Sequence, residues 1–187
     1  MNEMGLNQPQ VGIVEIPAAV VQPTLHETLK IGGFFQVKKF HAVKDGGVDR
    51  LLDDYPYEVS PWIPNGYTNA GGVILLSLLI AYNSQTSYTQ ANAYLGAGDS
   101  NTAFTVSQTN LQAATNKTRQ NCSSVSIAGQ VCSFIATFAT GSANYAWEEV
   151  GIFNDPSAGT MLARSVSSYG TKTSASSWQL TYTLTVP

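Results

Sequence analysis

The chain has 187 residues and a formal net charge of −3, with 43% apolar residues and only 11% Asp, Glu, Lys and Arg. That apolar content excludes a disordered chain, and the charged fraction is under half of the roughly 25% usual for soluble domains. Lys38, Lys39 and Lys44 form the only local basic cluster and Asp45 and Asp49 follow it closely, so the cluster reads as a solvated hairpin face and no nucleic-acid footprint is expected.

The length fits one domain with an extension, or at most two small ones. The opening residues MNEMGLNQPQ carry neither a basic nor an apolar leader segment, so no secretory signal is expected. The apolar run over residues 73–81 falls short of the roughly 20 residues that span a bilayer. The expectation is a soluble product made in the cytoplasm.

Residues 1–30 read as an extended arm. Pro9, Pro17 and Pro23 punctuate short apolar pieces that include Val11, Ile13, Ile16, Val20 and Val21. Proline removes ladder donors and favours extended backbone. Such a segment cannot bury itself alone, so it is expected to lie on the domain or on a neighbouring subunit, with those five residues as assembly anchors.

Residues 31–187 are expected to form the domain. Residues 34–44 read as a strand with Phe35, Val37 and Val43 on one face and Phe40 on the other. Asp45, Gly46 and Gly47 supply a tight turn, and the return strand covers residues 48–52. Pro56, Pro61, Pro64, Asn65 and Gly66 make an irregular crossing. Thr68 or Asn69 can cap a helix over residues 70–81. That segment is apolar on nearly every side, which predicts a mostly buried helix, with a buried strand as the alternative.

Residues 91–96 read as a strand entering the loop GAGDSNTAF, and residues 109–115 as one short helical turn. Residues 122–127 pair with residues 131–140 about a turn at Ala128, Gly129 and Gln130. This register offsets Cys122 from Cys132, which favours free thiols over a disulfide. Residues 147–153 and 161–166 flank the turn residues Asn154, Asp155, Pro156 and Gly159. In residues 177–186, Trp178, Leu180, Tyr182, Leu184 and Val186 alternate with Ser and Thr or Gln, so one face is buried and one is wet. Short strands between Gly, Asn and Pro turns predict a mainly β chain, an antiparallel β-sandwich of jelly-roll type.

Little in the sequence points to catalysis. The nucleophile elbow G-x-S-x-G is absent, and GAGDSNTA lacks the Lys of a phosphate loop. His26, His41, Cys122 and Cys132 lie in unrelated segments, so no metal site and no cofactor is expected. Glu148 and Glu149 are adjacent and point to opposite faces of a strand, so they cannot act as a glycosidase pair. Glu149 is placed on the face of Trp147 and Phe153, where a buried carboxylate needs a partner. Arg164 is the natural one, and the two are read as a structural ion pair. Asp53 and Asp54, with Tyr55 and Tyr57, could touch a sugar or a metal, but read first as an exposed loop. Trp62, Trp147 and Trp178 could stack on glycan, but aromatic residues on strands are more often core.

From Pro64 onward the chain resembles a family of small virion proteins of tailed bacteriophages. PNGYTNAGGVILLSLLI is similar to that family's "pNlvtnaG" entry to a short apolar helix. ANAYLGAGDSNTAFTVSQTNLQAATNK is similar to a strand ending "vGtG" and a following "t.L" segment. FIATFATGSANYAWEEVGIFNDPSAGTMLARSVSSYGTKTSASSWQLTYTLTV resembles "F....n.aw.E.GlfN...g.mlaRs....K.....w.ltvtlt". Glu149, Gly151, Asn154, Arg164 and Lys172 fall on its recurring positions. The chain departs from the pattern in its hairpin cysteines, and residues 1–30 have no counterpart. The resemblance implies a non-enzymatic structural component of the virion. The expected role is a capsid decoration or cement protein, a homo-oligomer or repeated copy that contacts the major capsid protein or tail proteins. A tail or fibre component that recognises host surface glycans is the alternative. The absence of a coiled coil or repeat favours decoration.

Overall fold

The structure, a computed structural model, describes residues 31–186. The arm, with Val11, Ile13, Ile16, Val20 and Val21, lies outside the described residues.

The described chain is mainly β, with antiparallel pairing throughout. In chain order its strands are β1 (Gly32–Asp45), β2 (Val48–Leu51), β3 (Glu58–Val59), β4 (Ile63–Pro64) and β5 (Gly66–Tyr67). The helix α1 (Asn69–Leu79) and a short 3-10 turn (Tyr82–Ser84) follow. Then come β6 (Tyr94–Gly98), β7 (Lys117–Asn121), β8 (Ser124–Ala128), β9 (Val131–Phe138), β10 (Ala146–Phe153), β11 (Met161–Thr171) and β12 (Ser176–Thr185). They form two sheets. A seven-stranded sheet runs β2-β1-β12-β9-β8, with β3 and β4 also paired to β1, and a five-stranded sheet runs β5-β11-β10-β6-β7.

One apolar cluster draws on both sheets. Phe35, Val37, Phe134, Phe138, Trp178, Leu180 and Tyr182 come from the first, and Leu95, Ala97, Trp147, Val150, Ile152 and Leu162 from the second. Trp147 sits edge-on to Phe138 and to Trp178, with centroids 4.7 and 4.9 Å apart. These rings are core, as strand aromatics usually are. The period-two pattern of β12 holds in part: Trp178, Leu180 and Tyr182 are buried and Thr183 lies beside Phe34, but Ser177 and Thr181 of the expected wet face are buried too, and Leu184 and Val186 are not.

The two predicted hairpins form with the expected registers. Asp45 faces Val48 across Gly46 and Gly47, both at positive φ, the mirror-image turn that matches strand twist. Ala128 faces Val131, which sets Cys132 against Ile127, and both cysteines are free.

Several expectations need correction. Val43 is 39% exposed, because burial switches parity between Lys39 and Ala42 as β1 leaves β12 and pairs with β2. The strand expected over residues 91–96 runs instead over Tyr94–Gly98, so Ala97 and Gly98 belong to β6 and not to the loop, and residues 109–115 form no helix. The helix α1 is not buried: only Gly71, Ile74 and Ser77 are. Its cap is Thr68, whose Oγ1 accepts from Gly71 N at 2.8 Å and donates to Met161 O at 2.6 Å. A Cβ on Gly71 would collide with the Leu162 carbonyl. The helix therefore docks with Gly71 against β11 and with Ile74 and Ser77 buried, while Val73, Leu76, Leu79 and the capping Ile80 stay outside. No described helix is long and apolar enough to cross a membrane.

Candidate functional site

Three places could carry function: the outer face of the five-stranded sheet, the loop around Lys172, and the exposed surfaces. The first holds the predicted ion pair. Arg164 Nε donates to Glu149 Oε2 at 2.5 Å, and neither side chain is solvent-exposed. Glu149 also accepts from Gln112 N at 2.9 Å and Ala113 N at 2.7 Å. Arg164 Nη1 donates to Gln108 Oε1 at 3.0 Å, and Nη2 to Thr102 O at 2.8 Å. All four of these further partners lie in residues 99–116, which connect β6 to β7. A buried ion pair left with unmet hydrogen-bonding capacity is costly, and here the connection meets it. The pair thus ties a long, non-repetitive loop flat against the sheet.

The register explains the room for it. Glu149 lies opposite Gly98, where a Cβ would stand 2.5 Å from Oε1. The pairing of β10 with β11 is irregular between Trp147 and Glu149. This bulge puts Trp147 in the shared core while Glu149 faces outward with Phe153, so the predicted common face of Trp147 and Glu149 is wrong. Beside them Leu111 packs on Phe153 and Met161, and Arg119 lies over the Phe153 ring at 3.5 Å. Arg119 Nη1 donates to the carbonyls of Asp155 and Ala158. Arg164 and Arg119 are thereby both engaged in holding loops, while Lys117 at the edge strand is exposed.

Lys172 repeats the theme without a carboxylate partner. It is 1% exposed, and its Nζ donates to Ala139 O at 2.6 Å and Asn144 Oδ1 at 3.0 Å. Burial pushes its ammonium pKa down to about 8, and Asp49 opposes the shift. Asp49 receives both Thr140 N and Thr140 Oγ1, which hold its carboxyl below the usual range. Asn144 Nδ2 donates to Thr140 O, and Trp147 Nε1 to Ala143 O. Residues 139–145 are thus closed by a web around one ammonium group.

The remaining candidates disperse. Glu148 is on the exposed side and accepts from Ser168 Oγ at 2.9 Å, so the two adjacent glutamates do not converge. Asp53 Oδ2 meets His41 Nδ1 at 2.7 Å, and His41 stacks on Tyr57. Asp53 is therefore partnered within the chain. Asp99 accepts from Asn116 Nδ2 at 2.7 Å, which makes it a loop clamp. Lys39 is not part of a solvated hairpin face: it turns inward over Trp178 at 4.6 Å and meets Glu58 at 2.6 Å. Among the described residues no group of three or more His, Cys, Asp or Glu could hold a metal.

Two exposed surfaces remain. Trp62 is 46% exposed and lines an open cleft of about 380 Å³ with Phe34, Val131, Thr183 and Thr185. The outer face of the seven-stranded sheet around it carries Ser133, Ile135, Thr137, Gln179 and Thr183, with Lys38 opposite Gln179. On α1, Val73, Leu76, Leu79 and Ile80 are 65, 66, 80 and 71% exposed. The sequence reading missed this helix face, because a segment apolar on all sides has no period to mark which side is left out. It also missed Thr102, Gln108 and Gln112, polar loop residues whose partners are far along the chain. Comparison with protein-family models, curated proteins and solved structures gives no match.

Proposed function

We propose that the chain is a non-enzymatic structural component of a tailed bacteriophage virion, a capsid decoration protein that binds its neighbours through residues 1–30 and a weakly charged β domain. The two sheets with their shared core are read as a β-sandwich of jelly-roll type. The observation that carries the functional reading is the disposition of charge. Arg164, Glu149, Lys172 and Lys39 are turned inward to brace the fold. What the seven-stranded sheet carries on its outer face along β9 and β12 is uncharged, with Ser133, Thr137, Gln179 and Thr183 beside Phe34 and Ile135, and such a surface can pack on a neighbour with little ionic desolvation cost. The resemblance along the chain from Pro64 onward supports the same reading, with the virion as location, and the major capsid protein or tail proteins and further copies of the chain as partners.

The glycan-binding tail or fibre reading is favoured by one observation, the half-exposed Trp62 beside the Thr183 and Thr185 hydroxyls. Aromatic faces flanked by hydroxyls suit sugar stacking. The two readings separate on purified particles. For a decoration protein, occupancy survives a high-salt wash and falls for an Ile13→Ser, Ile16→Ser variant, while Trp62→Ala leaves host adsorption unchanged. Release of the natural chain by moderate salt, with the double variant attached as before, overturns the arm reading. Loss of adsorption in Trp62→Ala transfers the function to glycan recognition.

A further inference from the structure

The helix α1 presents a problem that the described residues do not solve. Val73, Leu76, Leu79 and Ile80 recur at helical spacing along one side, and all four are at least 65% exposed. No residue of α1 is charged. Monomers seldom leave more than a few hundred Å² of contiguous apolar surface open, and such patches usually mark a covered or binding face. Beside this face lies a groove of about 240 Å³ with no polar lining, formed by Ile31, Tyr67, Gly72, Leu75 and Leu76. Ile31, the first described residue, itself lines this groove.

We infer that residues 20–29 of the chain itself lie along α1, with Val20, Val21, Leu25 and Leu29 covering Val73, Leu76, Leu79 and Ile80. The inference deepens the arm reading above and rests on it. Reach is sufficient. An 11-residue helix is about 16 Å long, and residues 22–30 can span about 30 Å when extended. Composition fits as well, since the segment VVQPTLHETL carries one acidic residue, Glu27, and four large aliphatic ones. A tethered segment also outcompetes a free partner. Its effective concentration at the groove is of millimolar order for a short linker, which a second copy in dilute solution does not match. Residues 1–19, with Val11, Ile13 and Ile16, are then left to reach a neighbour.

The test is a thiol-labelling rate on the isolated full-length chain. Cys122 is buried, so a Cys132→Ser background leaves little competing reactivity. Leu76→Cys is placed in that background with and without Leu25→Ser and Leu29→Ser. Leu79→Cys, at the most exposed position of the helix, is the second probe should Leu76→Cys perturb the fold. The expected result is labelling about tenfold slower with the natural segment than with the serines, at every protein concentration. Fast labelling in both forms means an open face and overturns the proposal. Protection that grows with protein concentration assigns the face to a second copy and also overturns it. Equal protection in both forms does the same, since another element would then be the cover. An Ile13→Ser, Ile16→Ser chain separates this from the decoration reading: it should keep the protection while losing particle occupancy.

Discussion

The outer face of the five-stranded sheet and the helix α1 invert each other. The first is built around a carboxylate and a guanidinium that are fully buried, and the second is an apolar helix on which Val73, Leu76, Leu79 and the capping Ile80 stand mostly in solvent. In the first, charge is affordable because residues 99–116 bring two backbone N–H groups, a carbonyl and an amide side chain to complete the pair. In the second, no described residue supplies the cover. Burial is therefore decided by whether partners exist within the chain, and not by residue type alone. A satisfied ion pair reports an interior assembled locally, whereas an unsatisfied apolar face reports a contact still to be made.

The largest effect should come from breaking the satisfied side. Arg164→Ala leaves Glu149 buried, facing only two N–H donors, and removes the anchors of Gln108 and Thr102. The expected loss is about 3–5 kcal/mol of unfolding free energy, as for other buried pairs broken on one side. Urea denaturation measures it. Hydrogen exchange should also accelerate across residues 99–116 in the variant before global unfolding. A near-neutral midpoint shift would mean that the loop is held by Leu111 and Arg119 instead.

A smaller effect sharpens the comparison, because Lys172 is buried with carbonyl oxygens and no carboxylate in contact. Its pKa falls from 10.5 to about 8 on folding. Between those values the unfolded chain binds more protons than the folded one, so this group's contribution to stability rises with pH. Below about pH 8 both states are protonated, and the dependence vanishes. The gain from pH 8 to 10 should be on the order of 1–2 kcal/mol. Near pH 10 and above, the buried tyrosines oppose it. Burial raises Tyr145 to about 12 and Tyr182 well above 10, and a raised phenol destabilises the fold as the unfolded chain ionises. A Lys172→Met chain shares the tyrosine trend but not the lysine one. The difference in urea-unfolding free energy between the two proteins, followed from pH 7 to 10, isolates the rise. A flat difference would show that Lys172 keeps an ordinary pKa.

The same contrast explains what was legible in the sequence. The strict alternation of residues 177–186 and the Gly-bearing turns at residues 46–47 and 129 report on neighbours close in sequence, and β12 and both hairpins follow from them. The Glu149–Arg164 pair was legible because a carboxylate on a core strand demands a cation, and Arg164 sits on the adjoining strand. Its face was misassigned because the bulge at Glu149 shifts parity, which no periodicity announces. The orientation of α1 was illegible for another reason. A segment apolar on every side does not mark which side docks, and here that side is the one with Gly71, whose backbone approaches Leu162 of β11, together with the buried Ile74 and Ser77.

The smallest effect on folding should come from the exposed side of the comparison. Leu79 is 80% exposed at the end of α1 and touches none of the shared core. Leu79→Lys adds a charge where the two sheets contribute nothing, and substitutions of that kind usually stay within about 0.5 kcal/mol of neutral. The global unfolding midpoint should therefore hardly move. If residues 20–29 rest on this helix, their attachment is a local equilibrium separate from the opening of the sheets, and it is the only one the lysine weakens. Hydrogen exchange should then accelerate across residues 20–29 and remain unchanged across β9, β10 and β12. A large fall in global stability would place Leu79 in the cooperative core after all. Unchanged exchange across residues 20–29, with unchanged stability, would leave the helix face to an external partner.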